Sequence, residues 1–210
     1  MRFRDRVEAG RELARALDHL EGQDVVVLAI PRGGVEVGAE VARAHGWPLD
    51  TVIPRKIGAP GNPELGLGAI APGVRVLDER MVRTLGVTRE YLDREIAEQE
   101  EEIRRRAEAY RRGRPGVDVS GKVAVVVDDG VATGGTAAAA LRWARAQEAA
   151  RVVLAVPVAP SEAVARLSKD ADEVVCLDTP EPFMAVGQWY ASFPQTSDQE
   201  VVSLLERARA

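Results

Sequence analysis

Three runs of apolar, largely β-branched residues constrain the fold most: residues 24–30 (DVVVLAI), 122–127 (KVAVVV) and 151–156 (RVVLAV). Apolar residues at successive positions mark a strand buried on both faces, the condition of a parallel sheet covered by helices. Residues 49–53 and 173–177 are shorter versions of the same pattern. Between the runs, residues 34–44, 135–147 and 161–169 read as helices. This alternation predicts an α/β fold with an open, mostly parallel central sheet flanked by helices and right-handed crossovers. With 210 residues, 46% of them hydrophobic and 29% charged, the chain is expected to form a single domain over residues 1–210 around a real core.

Two segments break the alternation. Residues 54–72 (PRKIGAPGNPELGLGAIAP) are dense in Gly and Pro, which argues against a helix or a central strand and for a long loop. Residues 88–112 read as a long charged helix, with Thr88 as N-cap and Gly113 as its stop. Leu92, Ile96, Ile103 and Tyr110 form a thin apolar stripe on it. Glu100, Glu101 and Glu102 each precede an arginine by four positions, which favours i,i+4 pairs. The plain reading is a solvated helix with one packed face; a partner contact along it is the alternative.

Several function classes fall away on composition. A net charge of −5 gives no basic surface for nucleic acid. One cysteine and two histidines do not make a disulfide or a cysteine- or histidine-rich metal site. No apolar run reaches the length of a membrane span, and the charged start MRFRDRVEAG lacks the apolar segment of a signal peptide, so a cytoplasmic location is the default expectation.

The stretch richest in chemistry is residues 125–136, VVVDDGVATGGT. An apolar strand ends at two adjacent acids, and a Thr-Gly-Gly-Thr turn then opens an alanine-rich helix. Ligands of open α/β sheets bind beyond the carboxyl ends of the strands. A glycine-rich turn at a helix N-terminus presents main-chain N–H groups and the helix dipole to an anion. The hydroxyls of Thr133 and Thr136 add donors, while Asp128 and Asp129 can accept from sugar hydroxyls or hold a hydrated Mg²⁺. The loop therefore suits a sugar phosphate. Thr136-Ala137 stands where a Walker loop requires Lys-Ser/Thr, and no G-x-S-x-G elbow is present, which count against a kinase or hydrolase.

This stretch resembles the phosphoribosyl diphosphate (PRPP) signature of the type I phosphoribosyltransferases: apolar residues, two acids, three variable positions and Thr-Gly-Gly-Thr. Gly130 departs from the family, which usually has an aliphatic residue there. The resemblance covers roughly residues 24–178 and implies the following. Ala132, Thr133, Gly134, Gly135 and Thr136 bind the 5-phosphate of PRPP; Asp128 and Asp129 bind the ribose hydroxyls and the metal, Mg²⁺. Residues 30–34 (IPRGG) form the pyrophosphate loop, with Arg32, Gly33 and Gly34 as contacts and a non-proline cis bond expected at Arg32–Gly33. Residues 54–72 are the mobile hood loop; its Arg55 and Lys56 reach pyrophosphate, and Glu64 handles the proton of the base.

The implied catalytic set is thus Asp128, Asp129, Arg32, Lys56 and Glu64. Residues 179–210 are the place for a nucleobase hood, and four of the nine aromatics fall in residues 181–194. Phe183, Trp189 and Tyr190 are the base-stacking candidates; glue between tail and sheet is the other reading. The resemblance also bears on the acceptor: 6-oxopurine members carry an Asp directly before the Thr-Gly, whereas adenine- and uracil-type members carry an Ala, and here the residue is Ala132. The implied reaction transfers phosphoribosyl from Mg-PRPP to a nitrogen of a nucleobase-like acceptor. The implied partners are these small molecules and a second copy in a homodimer, with no nucleic acid and no membrane. The rival reading is a non-catalytic regulator that senses PRPP or nucleotides with the same fold. A helical insertion over about 79–113 completes the expected organisation.

Overall fold

A computed structural model describes residues 3–208, with Glu64 described by its main chain alone. The three valine-rich runs become β1 (Val25–Ala29), β6 (Val123–Val127) and β7 (Arg151–Val158), and the shorter ones become β2 (Leu49–Thr51) and β8 (Glu173–Asp178). They form one five-stranded sheet in the order β2-β1-β6-β7-β8, parallel throughout. Every residue of β1 and β6 is buried, as continuous apolar strands require when both faces are covered. Helices α1 (Arg6–Ala16) and α2 (Gly33–His45) pack together and against the sheet, and α5 (Gly135–Ala146) and α6 (Ser161–Leu167) each pack against it. Leu13, Val27, Val41, Val125 and Val201 belong to one core cluster; Val26, Val126, Leu141, Leu154 and Leu167 belong to a second.

The segment expected as a loop is instead a hairpin. Residues Arg55–Ala59 (β3) and Asn62–Ala71 (β4) pair antiparallel, and β5 (Val74–Leu77) completes a small three-stranded sheet. The glycines were misleading because they serve close backbone approach and not disorder. A Cβ on Gly68 would lie 2.1 Å from the Val76 carbonyl oxygen, and one on Gly58 would lie 2.8 Å from Pro63 Cα. The register shifts around Gly58, so Pro63 falls in a bulge, where a missing N–H does not break the ladder. Ile57, Leu67 and Ile70 are fully buried and hold the small sheet in the core.

The 79–113 region is two helices, α3 (Glu79–Thr84) and α4 (Arg89–Arg111). Thr88 caps α4 as expected, its hydroxyl accepting from the Tyr91 N–H at 3.2 Å. The left-handed residue that ends the helix is Arg112, with Gly113 following at φ 75°. Ile96, Ile103 and Tyr110 are buried, and Leu92 packs beside them. The expected i,i+4 pairing holds for Glu102 with Arg106, at 2.6 Å. Glu101 pairs instead with Arg104, three positions on, and Glu100 with Arg75 of β5. Helix α4 is a strap. Tyr91 Oη donates to the Gly58 carbonyl at 3.0 Å, Arg111 lies 3.3 Å from Asp50 beside β2, and Tyr110 Oη donates to Asp198 at 2.6 Å. Asp198 opens α7 (Asp198–Arg207), which a Ser197/Glu200 capping box initiates.

Candidate active site

Strand order reverses between β1 and β6: the chain runs from β1 outward to β2, and later returns to β6 on the other side. Ligands of open α/β sheets collect at such a switch point. Register places Ala29 opposite Val127, and the Ile30 N–H donates to the Val127 carbonyl at 2.8 Å. The Pro31–Gly34 turn and the Asp128–Asp129 pair therefore leave the sheet side by side. The fit is close enough to demand glycine. A Cβ on Gly33 would fall 1.9 Å from Asp129 Oδ2, and one on Gly34 would fall 2.9 Å from Asp128 Cα. The non-proline cis bond in this turn is at Pro31–Arg32, one bond earlier than expected. Gly33 begins α2 with no side-chain cap, so the first N–H groups of that helix face the turn.

The second loop ends in Gly134, left-handed at φ 78°, which serves as N-cap of α5. No side chain caps this helix either. Among the described residues, no hydrogen bond takes up the N–H groups of residues 132–136. They line a cavity of about 620 Å³ together with Lys56, Arg142 and Arg166. Lys56 thus sits with the phosphate-type loop. Arg166 donates to the Thr133 carbonyl, and Arg142 lies 2.8 Å from Asp170.

The departure at Gly130 has a structural reason. Its φ is 159°, and a Cβ there would lie 2.5 Å from Val186 Cγ1. Val186, from the C-terminal segment, fills the volume that an aliphatic side chain at position 130 would take.

The acids are held unequally. Asp128 accepts the Asp129 N–H at 2.9 Å and, among the described residues, has no guanidinium of its own. Burial, reinforced by the neighbouring Asp129 charge, pushes the Asp128 carboxyl well above the usual carboxylate range. Burial pushes Asp129 the same way, and the Arg6 guanidinium opposes it. Arg6 Nε lies 2.7 Å from Asp129 Oδ2. Its Nη1 donates to the Pro194 carbonyl at 2.7 Å and lies 3.6 Å from Glu36, while Phe193 covers its face at 3.9 Å. Sequence reasoning missed Arg6, which stood in the charged N-terminal stretch with no local signal to distinguish it. Arg166 carried none either.

The other expected residues are dispersed. Arg32 approaches Asp198 of α7 at 4.0 Å. Arg55 turns away from the Lys56 side of its strand and donates to Gln99 of α4 at 2.9 Å, where burial lowers its pKa. Glu64 lies in β4, and its side chain is outside the described residues. Tyr190 is not free to stack on a base. It is buried, with its ring against Phe3 and Phe193 and its hydroxyl donating to the Asp129 carbonyl. Phe3 also bridges to Tyr190 in parallel fashion, so this part of the tail glues the N-terminus to the sheet. Phe183 and Trp189 stack on each other with centroids 6.1 Å apart and are half-buried.

The family model of the phosphoribosyl transferase domain matches residues 4–188. The chain belongs to the phosphoribosyl transferase family. Two Mycobacterium tuberculosis proteins, from strains CDC 1551 and H37Rv and both named for phosphoribosyl transferases, are 53% identical to it over 207 residues, 98% of this chain. The chain spans about half, 47%, of the length of those relatives. The crystal structure of TT1426 from Thermus thermophilus is 49% identical and superposes with a TM-score of 0.83 over 99% of both chains. The AQ2163 protein of Aquifex aeolicus shares the fold at 15% identity, with a TM-score of 0.52 over 87% of this chain and 78% of that one. The matched region takes in both loops and the Asp128–Asp129 pair. Among the described residues, no helix is long and apolar enough to cross a membrane.

Proposed function

We propose that this family member is an enzyme that transfers the 5-phosphoribosyl group of Mg²⁺-bound PRPP to a ring nitrogen of a nucleobase-like acceptor and releases pyrophosphate. One observation carries the reading: an amide cup at residues 132–136 with no side-chain cap and a half-buried acid pair leave the same strand, β6, at the switch point of the sheet. The cup takes the 5-phosphate, with Thr133 and Thr136 as added donors. Asp128 and Asp129 accept from the ribose hydroxyls. Arg32, Gly33 and Gly34, beside them in the turn that follows β1 and opens α2, take the pyrophosphate, and Lys56 brings a positive charge from the hairpin.

The acid pair also fits a metal. Among the described residues the two adjacent carboxyls share one guanidinium, that of Arg6, and burial followed by the neighbouring Asp129 charge makes Asp128 resist ionisation. Asp128 and Asp129 are the residues that would hold Mg²⁺, whose charge, when bound, offsets that of the departing pyrophosphate. The chain's own contribution is positioning and charge. As the C1–O bond to pyrophosphate breaks and the acceptor nitrogen bonds to C1, positive charge gathers on the ribose ring, beside the two carboxylates. The acceptor's proton leaves to a base, for which Glu64 is the candidate. The β3–β4 hairpin stands over the cup, where closure excludes water that would otherwise capture C1. Phe183 and Trp189 are the base-stacking candidates that remain. Ala132 gives the acceptor no carboxylate, which favours adenine- or uracil-like bases over hypoxanthine and guanine.

The test is calorimetry with PRPP and MgCl₂, followed by a pyrophosphate-release assay with adenine, uracil, hypoxanthine and guanine. One equivalent of PRPP bound and turnover on one class of base are expected. Binding with no turnover on any base would make the chain a sensor, and no binding at all would remove the site.

A further inference from the structure

We propose that Asp18, Glu21 and His45 form a second site, for a divalent transition cation of the Zn²⁺ class. His45 ends α2, whose first residue Gly33 lies at the candidate active site. Thirteen residues at 1.5 Å rise put the two sites roughly 18 Å apart.

The case begins with the imidazole. The His45 side chain is 3% exposed and stacks on Trp47 at a centroid distance of 4.0 Å. Its Nε2 lies 3.0 Å from the Ala14 carbonyl oxygen. A carbonyl only accepts, so Nε2 carries a proton, and in the neutral ring Nδ1 presents a lone pair. Nδ1 is buried, makes no hydrogen bond among the described residues, and lies 3.3 Å from Glu21 Oε1. Oε1 is that close without standing in hydrogen-bonding line with Nδ1, so the two atoms lie side by side, as two ligands of one cation at about 2.0–2.2 Å from each would. A histidine fixed by a main-chain carbonyl through one nitrogen, with the other nitrogen free, is the arrangement metal-ligating histidines adopt.

The acids come from one turn. Asp18 and Glu21 lie at either end of the short 3₁₀ segment Asp18–Leu20, and their spacing of three brings both to the same side. One ligand atom from each of the three residues lies within 4.8 Å of the other two. They open into a cavity of about 250 Å³ that Arg11 and Arg15 also line. Those cations are engaged elsewhere, Arg11 with Glu40 at 3.0 Å and Arg15 with Glu12 at 2.6 Å. One imidazole and two carboxylates suit Zn²⁺, Co²⁺ or Ni²⁺ better than Mg²⁺ or Ca²⁺, which prefer oxygen throughout.

Trp47 supplies the readout. Titration of the full chain with Co²⁺ at neutral pH should show one equivalent bound by calorimetry, in the presence of excess Mg²⁺. The tryptophan emission should fall as the open-shell ion reaches the stacked ring. Asp18→Asn and Glu21→Gln change exposed side chains, and the double variant should weaken Co²⁺ at least tenfold. Trp47→Phe should keep the calorimetric binding and lose most of the quench. Asp128→Asn should leave both unchanged, which separates this site from the PRPP site. The proposal is overturned if no Co²⁺ or Zn²⁺ binds, as when a protonated His45 simply pairs with Glu21, or if the double variant binds as the native chain does.

Discussion

Arg6 Nε lies 2.7 Å from Asp129 Oδ2, although 123 positions separate the two residues. The first residue of α1 thus opposes the effect of burial on the second acid at the sheet's switch point. Its other contacts, to Glu36, the Pro194 carbonyl and the Phe193 ring, tie both ends of the chain to the site.

Truncating that guanidinium leaves a half-buried carboxylate without its cation, which costs about 1–3 kcal/mol, less than for a fully buried pair. Arg6→Met is expected to lower stability to urea by that order and to weaken PRPP binding at least tenfold. Arg6→Lys should recover part of both, since it restores charge but not the fork that reaches Asp129 and Pro194 together. Calorimetry with Mg-PRPP beside a denaturation series checks it.

Asp128→Asn should separate stability from ligand binding. A carboxyl whose folded pKa lies above its unfolded value near 3.8 weakens the fold once pH rises past that value, and increasingly up to the folded pKa. The amide keeps an acceptor for the Asp129 N–H and removes the like charge. The variant should be more stable than the native chain at pH 7 and about equal to it at pH 3, while its PRPP affinity falls at least tenfold. Equal thermal midpoints at pH 7 would contradict the electrostatic account.

Gly130 and Val186 should behave as a pair. Gly130→Ala alone places a methyl 2.5 Å from Val186 Cγ1 and should cost about 1–3 kcal/mol. Val186→Ala opens that space, so the double variant should lose less than the sum of the single ones. A double-mutant cycle in guanidinium measures the coupling.

Glu102 links the long helix to acid stability. Hydrogen bonds from Arg105 and Arg106 hold its carboxyl down at about 2, against an ordinary value of 4.5. A depressed folded pKa gives stability that is present above pH 4.5 and is lost as pH falls from there towards 2. Glu102→Gln should therefore be less stable than the native chain at pH 7, and the gap should close over that window in an acid titration of the α4 helical signal.

The parallel sheet was legible because strands covered on both faces leave an unbroken β-branched signature, and the β1, β6 and β7 runs carry it. The acid pair and the glycine turn were legible for a related reason: a glycine turn that opens a helix without a side-chain cap is built from consecutive residues, so it is written locally. The hairpin at β3–β4 was not. Its glycines answer to the Val76 carbonyl and to Pro63, contacts that pairing across strands creates, and in sequence the same glycines read as a loop. For Tyr190 the sequence left two readings, a stacking platform or glue between tail and sheet, because composition does not say which side of a ring is covered; Phe3 and Phe193 cover it.

Sequence alone determined which local pieces exist: strands, uncapped glycine turns, two neighbouring acids. The tertiary structure alone decided their electrical state, because charge and burial at Asp128 and Asp129 depend on groups brought from the N-terminus and the tail, and Coulomb's law acts on distance through space and not along the chain.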